Sequence, residues 1–181
     1  MALGSTMYVF TVELADADRG IYETLEIRAA QHPSETPDYL LTRVLAYCLE
    51  YREGISFAKG GVSDRDEPTL YARDLTGALQ LWVEVGIVAP ERLHIASKAA
   101  PEVKLYCHKE AHLLQARLKG ASIHRKDELR TILVPRPFME ALLRHLDRRL
   151  QLSLTVADGH LYCSVGNDSF DCVLETLRLE D

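Results

Sequence analysis

The chain has 181 residues, 47% hydrophobic and 27% charged, which suits one globular domain, or one with an appended subdomain, able to bury a core. No apolar run approaches the roughly 18 residues of a membrane span, so a helical membrane protein is excluded. The formal charge of −6 argues against a protein that coats nucleic acid through its overall field.

The start, MALGSTMYVF, lacks the basic end and apolar core of a secretory signal. Cys48, Cys107, Cys163 and Cys172 are dispersed, with no CxxC pair. Reduced, buried thiols in the cytoplasm are the expectation, and the spacing does not suit zinc.

Two strands open the chain. TMYVFTVEL alternates Tyr8, Phe10, Val12 and Leu14 on one face, and IYETLEIRA sets Ile21, Leu25 and Ile27 on another. The link ADADRG ends in glycine, as a short hairpin turn does. A helix follows over 34–53, with Ser34 as N-cap, Pro37 in the first turn, and Leu40, Leu41, Val44, Leu45, Cys48 and Leu49 at helical spacing. Gly54 ends it.

ISFAKGG reads as a short strand running into a loop; EPTLYARD and LQLWVEVG read as two more strands. Gly86 and Pro90 open a second helix, PERLHIASKAA, followed by the strand EVKLYCH. A strand-helix-strand crossover gives a parallel pair, so the centre is expected to be mixed α/β. Beyond it come a helix over 110–119, the strand LRTILVP, and a helix RPFMEALLRHLDRRL with Phe138, Leu142, His145 and Leu146 on one face. LQLSLTVA and HLYCSV flank DG, the strongest short hairpin signal in the chain. SFDCVLETLRL closes as one alternating strand. The opening and closing strands are expected to pair with each other beside the centre.

LQLWVEVG poses a question. Leu79, Leu81, Val83 and Val85 fill one parity, while Gln80, Trp82 and Glu84 share the other, with Trp82 the chain's single tryptophan. Such a strand is covered on both faces, as in the middle of a sheet, and a carboxylate there needs a partner. Two readings are open. Either Glu84 sits at a frayed strand end and pairs with an arginine such as Arg92, or it is a metal ligand or general base.

The order helix, three strands, helix, strand, with acids on the second and third strands, resembles the core of restriction-endonuclease-like, PD-(D/E)XK nucleases. HPSET (32–36), DEP (66–68), LWVEVG (81–86), ER (91–92) and KLYCH (104–108), with the D-x-DRG turn (16–20), resemble the YaeQ family of bacterial proteins, which share that core. The resemblance spans nearly the whole chain. It implies a single domain over 1–181, with a nuclease-like α/β core at about 34–107 and an antiparallel β annex from about 5–30 and 148–179.

It further implies Mg²⁺-dependent hydrolysis of a nucleic-acid phosphodiester. Mg²⁺ takes a few carboxylates and keeps several waters, lowering the pKa of one and neutralising charge on the phosphate. Carried over, Glu84 is the third-strand acid, Asp66 and Glu67 stand near the second-strand acid, and Glu35 adds a distal carboxylate. The usual lysine two residues beyond Glu84 is replaced by Gly86. Candidates to assist water instead are His94 and Lys98, the latter about 12 Å past Pro90 along the helix, with Lys104 on the next strand. His108 and His112, four apart, could share a metal if helical.

From Arg117 to Arg149 nine Lys and Arg face four acids, so that segment carries +5 and the remainder −11. Either it is a solvated helix face, or it is a phosphate-contacting edge in which Arg144, Arg148 and Arg149 touch nucleic acid. Gly86 and the acidic total favour the alternative function, a non-catalytic nuclease-fold binding module, which family descriptions link to transcription elongation. Oligomeric state is not encoded in these patterns.

Overall fold

The computed structural model describes residues 4–59 and 66–179, and these form eleven strands and four α-helices. In chain order they are β1 (Thr6–Asp16), β2 (Ile21–Gln31), α1 (Pro37–Leu49), β3 (Ile55–Phe57), β4 (Leu70–Arg73), β5 (Leu79–Val85), α2 (Pro90–Ala99), β6 (Glu102–Cys107), α3 (Ala111–Leu118), β7 (Arg130–Leu133), α4 (Arg136–Leu143), β8 (Arg149–Ala157), β9 (His160–Val165), β10 (Asp168–Val173) and β11 (Glu175–Leu177). The loop expected after β3 falls partly at 60–65, outside the described residues.

Two mixed sheets result. One has the order β10-β9-β8-β1-β2, the other β11-β7-β6-β5-β4-β3. In the second sheet β3, β4 and β5 form an antiparallel meander, and α2 carries the chain across to β6, parallel to β5. β5 is therefore interior, as its apolar run requires.

The alternation of β5 divides its side chains between two cores. Leu81, Val83 and Val85 pack with α1 residues such as Leu41 and Leu45 and with Phe10 and Val12 of the first sheet. Trp82, on the opposite face, packs with Leu93 and Ala96 of α2, Leu105 of β6 and Leu114 of α3. α1 and α4 thus lie between the sheets, while α2 and α3 cover the outer face of the second sheet. Each such large side chain fully buried contributes about 1.5–3 kcal/mol.

Five expectations need correction. The strands at the two ends of the chain do pair, but β1 runs parallel to β8, so their sheet is mixed rather than antiparallel. It also shares its core with α1 and β5 instead of standing aside as an annex. The N-cap of α1 is Thr36, whose hydroxyl accepts from the Tyr39 N–H, with Pro37 following it; Ser34 lies outside, bonded to His32.

The helix expected to run through 150 stops at Leu143. Its Leu142–Leu146 spacing imitates another turn, but the Arg148 carbonyl already accepts from the Val9 N–H at 2.8 Å, drawing the chain into β8. The closing strand breaks at Leu174: β10 pairs with β9, and β11 crosses to pair with β7 in the other sheet.

The D-x-DRG turn also acquires a physical role. Arg19, held by Asp16 at 2.7 Å, donates to the carbonyls of Cys48 (3.2 Å) and Tyr51 (2.9 Å), closing the end of α1. Asp18 accepts from the N–H groups of Asp158 (2.7 Å) and Gly159 (2.9 Å), tying the β1–β2 turn to the DG turn between β8 and β9.

Candidate functional site

Glu84 sits one residue before the end of β5, on the α2 side, and is only 1% exposed. Three donors hold its carboxylate. The indole N–H of Trp82, two residues earlier on the same face, reaches Oε1 at 2.6 Å. Arg92 Nε lies 2.9 Å from the same oxygen. The Thr69 hydroxyl donates to Oε2 at 3.0 Å.

The antiparallel register explains Thr69. Leu70 pairs with Val83, so the residue before β4 falls opposite Glu84. Arg92 comes from the first turn of α2, and its Nη2 also donates to the Glu67 carbonyl at 2.5 Å. The strand end is therefore not frayed, but the expected pairing with Arg92 is present. A buried carboxylate of this kind is stabilised by its partners, not by water.

A cavity of about 240 Å³ opens beside this carboxylate, lined among others by Glu35, Tyr39, Arg43, Thr69, Glu84 and Arg92. It contains a second carboxylate–guanidinium pair, with Arg43 Nη2 2.8 Å from Glu35 Oε2 and both side chains buried. Arg43 Nη2 also donates to the Ala30 carbonyl, while its Nε is buried without a hydrogen-bond partner. The guanidinium lies 5.3 Å from the Phe57 ring centre and 6.0 Å from that of Tyr39.

Burial, and then the nearby negative charge of Glu84, push the Tyr39 phenol above its usual range, against the opposing hydrogen bond with Thr69. Thr69 spends its proton on Glu84, so Tyr39 is the donor in its 3.5 Å contact with Thr69. A donor chain thus runs from phenol to hydroxyl to carboxylate. With two acids matched by two arginines, the cavity is close to neutral.

The other expected site residues are placed as follows. Asp66 and Glu67 lie exposed ahead of β4; Glu67 meets the site through its carbonyl. Glu35 does line the cavity, held by Arg43. His94 accepts from the His124 N–H at 3.2 Å, and Lys98 is exposed near the end of α2. Lys104 faces the other side of the sheet, 2.7 Å from buried Glu50, which also accepts from the Tyr106 hydroxyl at 2.6 Å.

His108 follows β6, buried, and His112 lies in α3, where it pairs with Glu110, so the two do not share a helix. Arg144 caps α4, whereas Arg148 directly precedes β8 and Arg149 is its first residue. All three are exposed, but they share no helix face.

Gly86 adopts φ +85° while its N–H donates to the Tyr106 carbonyl at 2.8 Å. A Cβ there would meet only ordinary contacts, 3.8 Å from His108. It is the backbone conformation, not crowding, that disfavours a lysine at this position. Thr69, Tyr39 and Arg43 were missed in the sequence. Only the register of β4 against β5 and the docking of α1 bring them to Glu84.

The residues present do not fit a divalent ion as they stand. Three donors occupy Glu84, leaving about one of its roughly four acceptor positions. Among the described residues no three His, Cys, Asp or Glu side chains converge to hold a metal.

The family profile described as YaeQ protein matches residues 1–174. The chain belongs to the YaeQ family. The YaeQ protein of Escherichia coli K12 is 35% identical over 108 residues, a match covering 60% of this chain and 59% of that protein. The chain therefore spans less than two thirds of that relative's length in the match. The YaeQ protein of Salmonella typhi is 27% identical over 183 residues, covering 96% of each chain.

Two crystal structures of YaeQ proteins have the same fold. That from Pseudomonas syringae superposes with a TM-score of 0.83 at 28% identity, covering 96% of both chains. That from Xanthomonas axonopodis pv. citri gives 0.85 at 27%, covering 97% of this chain and 99% of the other. The mixed α/β architecture, with two mixed sheets and four helices, is thus a YaeQ architecture.

Proposed function

We propose that the chain is a non-catalytic binding module built on a restriction-endonuclease-like, PD-(D/E)XK core, with nucleic acid as its partner class. Support for the core is topological. The run β3-β4-β5-β6, with β4 antiparallel to its neighbours and helices against both faces, is the arrangement that the resemblance implies.

One observation carries the non-catalytic reading: Glu84 is paired with Arg92 at 2.9 Å inside the protein. A carboxylate that holds a divalent ion through more than its one remaining acceptor position, or acts as a base, has to give up that guanidinium, and breaking a buried pair costs about 3–5 kcal/mol. Gly86 supplies no side chain to orient water. The partner class is supported by exposed Arg144, Arg148 and Arg149, which gather at the corner leading into β8. Arg149 and Arg28 also flank Val9 in one cross-strand row, both exposed.

The rival reading, a Mg²⁺-dependent nuclease, draws on Glu35 and Glu84 lining one cavity. Incubating the wild type and Glu84→Gln with labelled DNA and RNA in Mg²⁺ or Mn²⁺ decides between them. No cleavage by either protein is expected. Metal-dependent cleavage that disappears in Glu84→Gln would overturn the binding-module reading.

A further inference from the structure

The carboxylates of a nuclease-like core surround a hard cation, and the resemblance puts that cation beside Glu84. Here the chain brings a cation of its own. Arg92 is clasped between Oε1 of Glu84 at 2.9 Å and the carbonyl oxygen of Glu67 at 2.5 Å. These are oxygen donors from β5 and from the segment entering β4, the two places whose acids would hold a metal.

We infer that Arg92 takes the cation's position: its guanidinium is the permanent counter-ion of the site, and the protein keeps divalent ions out of it. The inference rests on the nuclease-fold reading above. Charge balance supports it. The register position opposite Glu84, where a second carboxylate would call for a divalent ion, holds the neutral Thr69 hydroxyl. One carboxylate and one guanidinium cancel. A divalent ion on Glu84 alone would leave a positive excess next to Arg43 and the Trp82 ring.

Residue chemistry points the same way. Arginine stays charged at any physiological pH and donates in fixed directions to several oxygens at once. It also anchors α2 to the end of β5, so the counter-ion cannot be removed by chelation.

Calorimetric titration with MnCl₂ of the wild type, Arg92→Met and the double variant Arg92→Met/Glu84→Gln tests this. The wild type should not bind through Glu84. Arg92→Met should gain affinity by about tenfold or more, and the double variant should lose that gain. Arg92→Met that keeps its far-UV spectrum yet gains nothing overturns the inference and leaves the binding-module reading intact. Wild-type binding abolished by Glu84→Gln overturns the inference and counts against that reading too.

Since Arg92→Met leaves a buried carboxylate unpaired, thermal melts with and without about 1 mM Mn²⁺ accompany the titration. Folding of Arg92→Met rescued by Mn²⁺, but not in the double variant, supports the inference. An Arg92→Met that stays unfolded in Mn²⁺, while the double variant folds, contradicts it.

Discussion

Trp82 and Glu84 are bonded to each other along one face of β5, the indole N–H 2.6 Å from Oε1. The chain's only tryptophan therefore reports on the most buried acid among the described residues. Arg92 and Thr69 share that carboxylate, so the indole senses any event that changes its charge.

Glu84→Gln keeps an acceptor for Trp82 but removes the charge that Arg92 faces. The Arg92 side chain is 21% exposed and can turn partly to water, so the expected loss is at the low end for a buried pair, about 3 kcal/mol. Urea unfolding followed by Trp82 emission measures it. A change below about 1 kcal/mol, the scale of an exposed pair, would show that the pair contributes little to folding.

Arg19 provides a second structural test, remote from the site. Arg19→Ala takes the guanidinium donor from two carbonyls at the α1 end, Cys48 and Tyr51, and leaves Asp16, 2% exposed, without its arginine. A destabilisation of about 3 kcal/mol is expected. Arg28→Ala, whose partner Glu26 is exposed, should change stability by less than about 1 kcal/mol. Equal effects of the two changes would contradict this account.

His108 makes stability depend on pH. Burial lowers its pKa, against the opposing pull of Asp38 3.5 Å away, and neither ring nitrogen has a hydrogen-bond partner. The unfolded chain therefore binds a proton that the folded chain resists. Stability should be full above the unfolded value of about 6.5 and fall as the pH drops below it. Asp38 is held below its usual value by Thr36 and Lys109 despite its own desolvation, so its contribution is lost only in a more acidic window, under about pH 4. Urea midpoints at about pH 7.5 and 5.5, either side of the histidine range, should differ more for the wild type than for His108→Leu. Identical slopes would remove His108 from the account.

The basic corner gives a binding prediction. Arg144→Ala with Arg149→Ala should alter stability by no more than about 0.5 kcal/mol, since both are exposed. If both contact phosphates, the log–log salt slope of oligonucleotide binding should drop by about two. Wild-type protein that binds no oligonucleotide at about 50 mM salt would remove nucleic acid as the partner class.

Much of the fold was legible because its signals are local. The β5 alternation, the Pro90 start of α2 and the DG turn, with Asp158 and Gly159 both at positive φ, all depend on short stretches. The length of α4 was not, because a pairing far away in sequence, Val9 with Arg148, ends it. The parallel β1–β8 contact is non-local in the same way. At the site, Glu84 and Arg92 could be read from an acid on a doubly covered strand and the next arginine in sequence. Thr69 could not, since a threonine before a strand carries no signal until the register of β4 is known.

The most direct measurement of the central claim uses the single indole resonance in a ¹⁵N correlation spectrum, which belongs to Trp82. Mn²⁺ bound at Glu84 would lie within a few ångströms of that N–H and broaden its signal away, given metal–oxygen distances of about 2.1–2.2 Å. With Arg92 as the resident cation, the wild-type indole peak should keep its intensity as Mn²⁺ is added, while Arg92→Met loses it. Selective loss of the wild-type peak, reversed by Glu84→Gln, would contradict the account.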